Sequence, residues 1–166
     1  VKDDERAFLT RDGKFERLLG SGRFVALDYG RRLAAEVVKV GRAEVPADKA
    51  LRIARTHPEV ADDNFEIVQL GPNEVAIVAL DGEPKHMVMP NSTRAFWKAV
   101  TAVDVERIDA GADMRVAKRH LDRIDLTRMP IVVHAVVEAH EAGLLFVDGK
   151  LIERLPAGRH AFWAVG

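Results

Sequence analysis

His134, Glu138 and His140 are the residues whose types could hold a divalent ion, since two imidazoles and a carboxylate form a serviceable ligand set, and Glu141 adjoins them. On a strand the three share one face. Six residues of extended chain between the two histidines cover roughly 20 Å, too far for one ion, so a metal centre forms only if the chain bends between them. Nucleophilic chemistry has less to draw on. Ser21 and Ser92 stand in loop-like sequence, and neither lies in a nucleophile-elbow pattern. The carboxylate pairs Asp3-Asp4 and Asp62-Asp63 also fall in loops, whereas acid/base work needs a shifted pKa within a cleft. Gly20-Ser21-Gly22 is rich enough in glycine to approach a phosphate, but a phosphate cradle leads directly into a helix N-terminus. Here strand-like sequence follows, which makes the segment a tight bend. The expectation is that the chain is not an enzyme, with no catalytic residues, no metal ligands and no cofactor.

Charged and aromatic residues recur instead. Arg23, Arg94 and Arg159 each follow a loop, and Glu5, Glu74 and Glu141 each precede an apolar run. They are read first as local braces that close loops or bridge the ends of one unit, and second as an arginine row that meets a partner or lipid headgroups. Exposed ion pairs are worth about 0–1 kcal/mol, so their recurrence speaks of local geometry. Trp97 and Trp163 follow Phe96 and Phe162, and paired large aromatics point to core packing; exposed, they would mark a partner surface. Arg115, Lys118, Arg119, His120 and Arg123 read as the solvated face of a helix that could also touch an anionic membrane.

These markers belong to an internal repeat. Glu5, Glu74 and Glu141 stand 69 and 67 residues apart. In every copy seven residues separate the glutamate from a turn aspartate: Glu5 to Asp12, Glu74 to Asp81, Glu141 to Asp148. The first and third copies also keep nine residues between the turn glycine and a loop glycine, Gly13 to Gly22 and Gly149 to Gly158. Each Asp-Gly lies between apolar runs, the strongest short-range signal for a β-hairpin, because a type I′ turn needs positive φ at both central residues. The run before each turn (Phe8-Leu9, Val75 to Leu80, Leu144 to Val147) is apolar on both faces and reads as a central strand. After each hairpin a loop leads to a short strand ending in Phe24-Val25, Phe96-Trp97 or Phe162-Trp163.

The connectors follow one order. Ala35 to Val40 and Val103 to Glu106 alternate like half-buried strands. A helix follows each. In the first, Pro46 and Asp48 suit an N-terminus, Ala47, Ala50, Leu51 and Ala54 line one side, and Pro58 stops the helix near His57. In the second, Met114, Ala117, Leu121 and Ile124 form an amphipathic stripe. Phe65 to Val68 and Ile131 to Val133 then lead into the next copy. The fold class is therefore α+β: three β-hairpin repeats, a mostly antiparallel sheet and two short intervening helices. The hairpin copies occupy about residues 1–30, 65–100 and 132–166, with strand-helix connectors over about 31–64 and 101–131, in one repeat-built region.

Composition agrees with such a body. The 166 residues are 48% hydrophobic and 31% charged with a formal net charge of -1, which leaves no basic footprint for nucleic acid. Cysteine is absent, which removes disulfides and thiolate chemistry and suits a cytoplasmic setting. The longest apolar run, Ile131 to Val137, is interrupted by His134 and far too short to span a bilayer. A start at Val1 and a stop just after Trp163 read as a piece of a longer protein, with any membrane anchor outside it.

The third copy resembles the entry segment of bacterial slipins, in the stomatin/prohibitin/flotillin (SPFH, band 7) superfamily. Gly143-Leu144-Leu145-Phe146-Val147-Asp148-Gly149-Lys150, then Leu155-Pro156-Ala157-Gly158-Arg159-His160 and Phe162-Trp163, carry the resemblance. The second copy departs from it, with Pro90-Asn91-Ser92-Thr93 making its loop one residue longer. The resemblance implies a membrane-associated scaffold that forms large homo-oligomers and works beside membrane proteases, with no cofactor or catalytic residue to transfer. Scaffolding through self-association is the leading expectation. A β-rich peptide- or protein-binding module without a membrane role is the alternative, and a metal protein or enzyme built on His134, Glu138 and His140 is the third.

Overall fold

The computed structural model describes residues 1–41, 43–99, 101–122 and 130–165. Among the described residues it is mostly antiparallel β, with 49% strand and three short helices making 13%. In chain order the described elements are β1 (Glu5–Arg11), β2 (Lys14–Leu19), β3 (Leu33–Lys39), β4 (Glu44–Val45), α1 (Ala47–Thr56), α2 (Pro58–Asn64) and β5 (Phe65–Gln69). There follow β6 (Glu74–Leu80), β7 (Glu83–Val88), β8 (Thr93–Trp97), β9 (Val103–Asp109), α3 (Lys118–Leu121), β10 (Val132–Val137), β11 (Gly143–Val147), β12 (Lys150–Leu155) and β13 (Gly158–Trp163). Two compact units divide the chain: Val1–Gln69 with Ile77–Val88 and Ser92–Glu106, and Leu70–Ala76 with Met89–Asn91 and Arg107–Gly166.

All three hairpins form where the Asp-Gly pairs lie. Asp12, Asp81 and Asp148 take φ of 51°, 53° and 50°, and Gly13, Gly82 and Gly149 take 76°, 82° and 75°, the twofold positive φ of a type I′ turn. The first and third hairpins match pair for pair. Ala7 faces Leu19 and Leu9 faces Arg17, as Gly143 faces Leu155 and Leu145 faces Glu153, and both ladders bulge at the next step. Gly22 and Gly158, at φ 138° and 137°, make the same bend after them, in a region that disfavours any Cβ.

Two kinds of sheet result. Hairpin sheets add the strand that comes after the loop: the orders are β2-β1-β3 and β7-β6-β9. The other kind sets β8 between β4 and β5, with Phe65 opposite Trp97 and Glu44 opposite Phe96. The second unit repeats it, with β13 beside β10, Val132 opposite Trp163, and a single bridge from Arg115 to Phe162 in the place of β4. Backbone bonds repeat too: Trp97 N–H donates to Ala43 and Trp163 N–H to Met114, both at 2.7 Å.

The core of the first unit gathers Phe8, Val40, Val45, Ala50, Ile53, Phe65 and Trp97. Helix α1 contributes Ala50 and Ile53 to it, with Ala54 packed alongside. His57 ends α1 at φ -142°, ψ 70°, as a residue before proline should. Pro58 then opens α2, a helix absent from the sequence expectation: at the first helical position proline sacrifices no hydrogen bond. A smaller core in the second unit joins Val137, Leu155 and Phe162, with Met114 and Leu145 against it.

Three expectations need correction. Phe24-Val25 form no strand. β8 and β13 pair with β5 and β10, strands that precede their own hairpins, and among the described residues no strand precedes β1. Second, the start of the amphipathic stripe is not helical: Met114 and Ala117 precede α3, which among the described residues covers Lys118–Leu121, while Arg115 is bridged to Phe162 and Val116 N–H bonds Ala161. Ile124 and Arg123 lie outside the described residues. Third, β1 and β6 are central strands, but β11 pairs only with β12 among the described residues.

Candidate interaction surface

The repeated glutamates are turn closers. Glu5 Oε2 accepts the backbone N–H of Lys2 (3.0 Å), Glu74 Oε2 that of Gly71 (2.7 Å), and Glu141 Oε2 that of Glu138 (3.3 Å). In each case the glutamate's own N–H donates back to the same residue's carbonyl, at 3.1, 3.4 and 3.0 Å. The reciprocal pair fixes the chain direction as it enters each hairpin, and it employs none of the recurring arginines.

Those arginines diverge. Arg94 donates to Glu44 Oε1 (2.9 Å), which also lies 3.3 Å from His86 Nδ1. Arg159 reaches Asp122 Oδ1 and the Leu121 carbonyl, both at 3.3 Å, and Arg23 is exposed in the loop after β2. Sheet register aligns Arg94 with His160 rather than with Arg159, because the loop before β8 is one residue longer. Trp97 and Trp163 are buried, which removes both from any partner surface. The three arginines thus have different surroundings, and both tryptophans belong to the interior of their own units.

The polar candidates do not converge either. His134 lies mid-strand opposite Ala161, Glu138 and His140 are exposed in the turn after β10, and no group of three metal-ligating side chains occurs among the described residues. The proposed solvated face of the second helix is also altered, since His120 is buried. A cleft of about 680 Å³ opens beside α3, lined by Asp113, Arg115, Lys118, Asp122, Glu153 and Arg159 among others. Its charges are largely matched internally: Arg115 pairs with Glu153, and Arg159 with Asp122. The corresponding place in the first unit sets Glu44 opposite Phe96, with its Oε1 3.3 Å from His86 Nδ1 on β7.

What stands out is apolar. Leu144, Phe146, Leu151 and Ile152 on the third hairpin are 55–56% exposed. Their counterparts in the first hairpin are Phe8, Thr10, Phe15 and Glu16. Phe8 is 4% exposed, stacked with Phe65 and tilted against Trp97, with ring centroids 6.4 and 5.8 Å away. Towards its tip the first hairpin is polar: Arg11 donates to both carboxylate oxygens of Glu16, at 3.1 and 3.2 Å, and holds that carboxyl below its ordinary range. The third hairpin places Val147 and Ile152 at those two positions. This surface was missed in the sequence, although the exchange of Arg11 and Glu16 for two aliphatic residues was its visible sign. Comparison with protein-family models, curated proteins and solved structures finds no match to any of them.

Proposed function

We propose that the chain is a non-catalytic scaffold region of slipin type, which works by self-association and partner docking in a membrane-associated protein. One observation carries the reading: a hairpin with four large apolar side chains more than half exposed, in a chain whose equivalent Phe8 is buried. Isolated exposed apolar residues are ordinary, but a contiguous cluster marks an association site. Contact with a membrane surface or membrane protease belongs, on this reading, to the full-length protein; no helix among the described residues is long and apolar enough to cross a membrane.

Sedimentation velocity of the 166-residue chain over a wide concentration range tests it, with flotation on anionic vesicles as a second arm. Mass that rises with concentration, and falls back to monomer in Leu144→Lys/Phe146→Lys, is the expected result. A monomer at every concentration that also ignores vesicles defeats the scaffold reading. The edge of β11 that is unpaired among the described residues favours a second reading, a β-rich peptide- or protein-binding module without a membrane role, for which binding would occur with neither oligomer nor vesicle.

A further inference from the structure

We propose that the edge of β11 left unpaired among the described residues is a strand-acceptor site, filled antiparallel by one extended polypeptide segment of β3 or β9 chemistry from outside residues 1–166. The proposal rests on the docking reading of the third hairpin and specifies its occupant.

The repeat itself displays what belongs there. In the first hairpin sheet β3 covers the edge of β1 opposite β2, and in the second β9 holds the same place beside β6. Both covering strands are seven residues long and mix aliphatic with charged side chains, LAAEVVK and VDVERID. The third hairpin keeps the same turn, the same ladder and the same bulge as the first, yet β11 has β12 alone among the described residues. Its outer N–H and C=O groups form a ready template for one more strand.

Composition of the edges supports the assignment. Natural sheets protect exposed edges with charge. Within the hairpin sheets, β2, β3, β7, β9 and β12 each carry at least two charged residues and β11, Gly-Leu-Leu-Phe-Val, carries none. In the other kind of sheet β10, Val-Val-His-Ala-Val-Val, is also without Asp, Glu, Lys or Arg. An unprotected edge flanked by exposed Leu144 and Phe146 fits a strand that is normally covered. Strand addition of this kind takes affinity from main-chain bonds and selectivity from alternate side chains.

Register follows from the first copy. There Glu5 faces Lys39, Leu9 faces Ala35 and Arg11 faces Leu33. Transferred to the third copy, the residue in the place of Lys39 lies opposite Glu141, giving a favourable charge pair, and the residue in the place of Leu33 lies opposite Val147.

The test uses a synthetic peptide of residues 31–40 added to the 166-residue chain, read by amide shifts and by a spin label at either peptide end. Saturable shifts at Gly143–Val147 are expected. The label beyond Lys39 should broaden Glu141 most, and the label before Leu33 should broaden Val147 most. N-methylation of the peptide amides that face β11 should weaken binding at least about tenfold, while methylation of the alternate amides leaves it unchanged. That contrast leaves the protein unaltered, so misfolding cannot imitate it. Absence of saturable shifts at β11, a reversed label gradient, or equal binding of both methylated peptides overturns the proposal. So does concentration-dependent protection of β11 without peptide, which makes a second copy the occupant and leaves the scaffold reading standing. A monomeric chain that binds the peptide in register has the opposite meaning: the acceptor site holds and self-association fails.

Discussion

Truncating the same repeat position in two copies should have very different costs. Phe8 and Leu144 occupy equivalent places in matching ladders, opposite Leu18 and Arg154. Phe8 is 4% exposed, lies within 6.4 Å of the rings of Phe15, Phe65 and Trp97, and has the Lys49 ammonium 5.4 Å from its centroid. Removing a buried phenylalanine costs about 3–5 kcal/mol from lost transfer energy and the cavity left behind. Leu144 is 56% exposed, so Leu144→Ala should cost no more than about 1 kcal/mol. Urea unfolding followed by amide signals within Val1–Gln69 for Phe8→Ala, and within Arg107–Gly166 for Leu144→Ala, makes the comparison. With a slope of about 1–3 kcal/mol/M, Phe8→Ala should lower its midpoint by roughly 1–5 M, while Leu144→Ala barely moves its own. Phe8→Leu, which keeps apolar bulk but loses the ring contacts, should fall between and guards against complete unfolding of the alanine variant. Comparable losses at the two positions, or a Leu144→Ala cost above about 2 kcal/mol, would refute the claim that tertiary cover alone separates these copies.

Gly158→Ala should destabilise the second unit by about 1–3 kcal/mol, because φ 137° suits glycine alone, and a thermal-melt shift would measure it. Glu74→Ala should cost about 1 kcal/mol by orphaning the Gly71 N–H, visible as faster exchange of that amide; unchanged exchange would contradict the turn-closing role. Asp28 accepts the backbone N–H groups of Leu33 (2.9 Å) and Arg32 (3.0 Å), and these bonds hold its carboxyl below the ordinary aspartate value of 3.8. A depressed folded pKa means that the loop's stabilisation is complete above 3.8 and disappears as pH falls through the lower folded value. Carboxyl-carbon titration should therefore place Asp28 below 3.8, with the amides of Arg32 and Leu33 shifting in step and losing that response in Asp28→Asn; a midpoint at or above 3.8 would contradict it.

Local chemistry was legible in the amino-acid order. An aspartate and a glycine side by side, between apolar runs, leave a two-residue turn few alternatives, and all three hairpins follow. Proline before and after α1 set its ends by removing donors and restricting the preceding residue. The constant Glu-to-turn spacing exposed the repeat, although the glutamate's role as acceptor for the backbone three residues back emerged only from the fold. What sequence could not decide was which strands would meet. Phe24-Val25 has the composition of β8 and β13 but no partner strand among the described residues, and an isolated run gains nothing from extending. Leu144 to Val147 has the apolar pattern of a central strand, as β1 and β6 do, yet a central position depends on a second neighbour. Pattern measures what a strand could bury; only tertiary structure supplies the surface that buries it. By itself the sequence determined the turns, the repeated unit and its α+β class. The tertiary structure decided which copies are covered, and so turned the third hairpin from a building part into the chain's candidate binding edge.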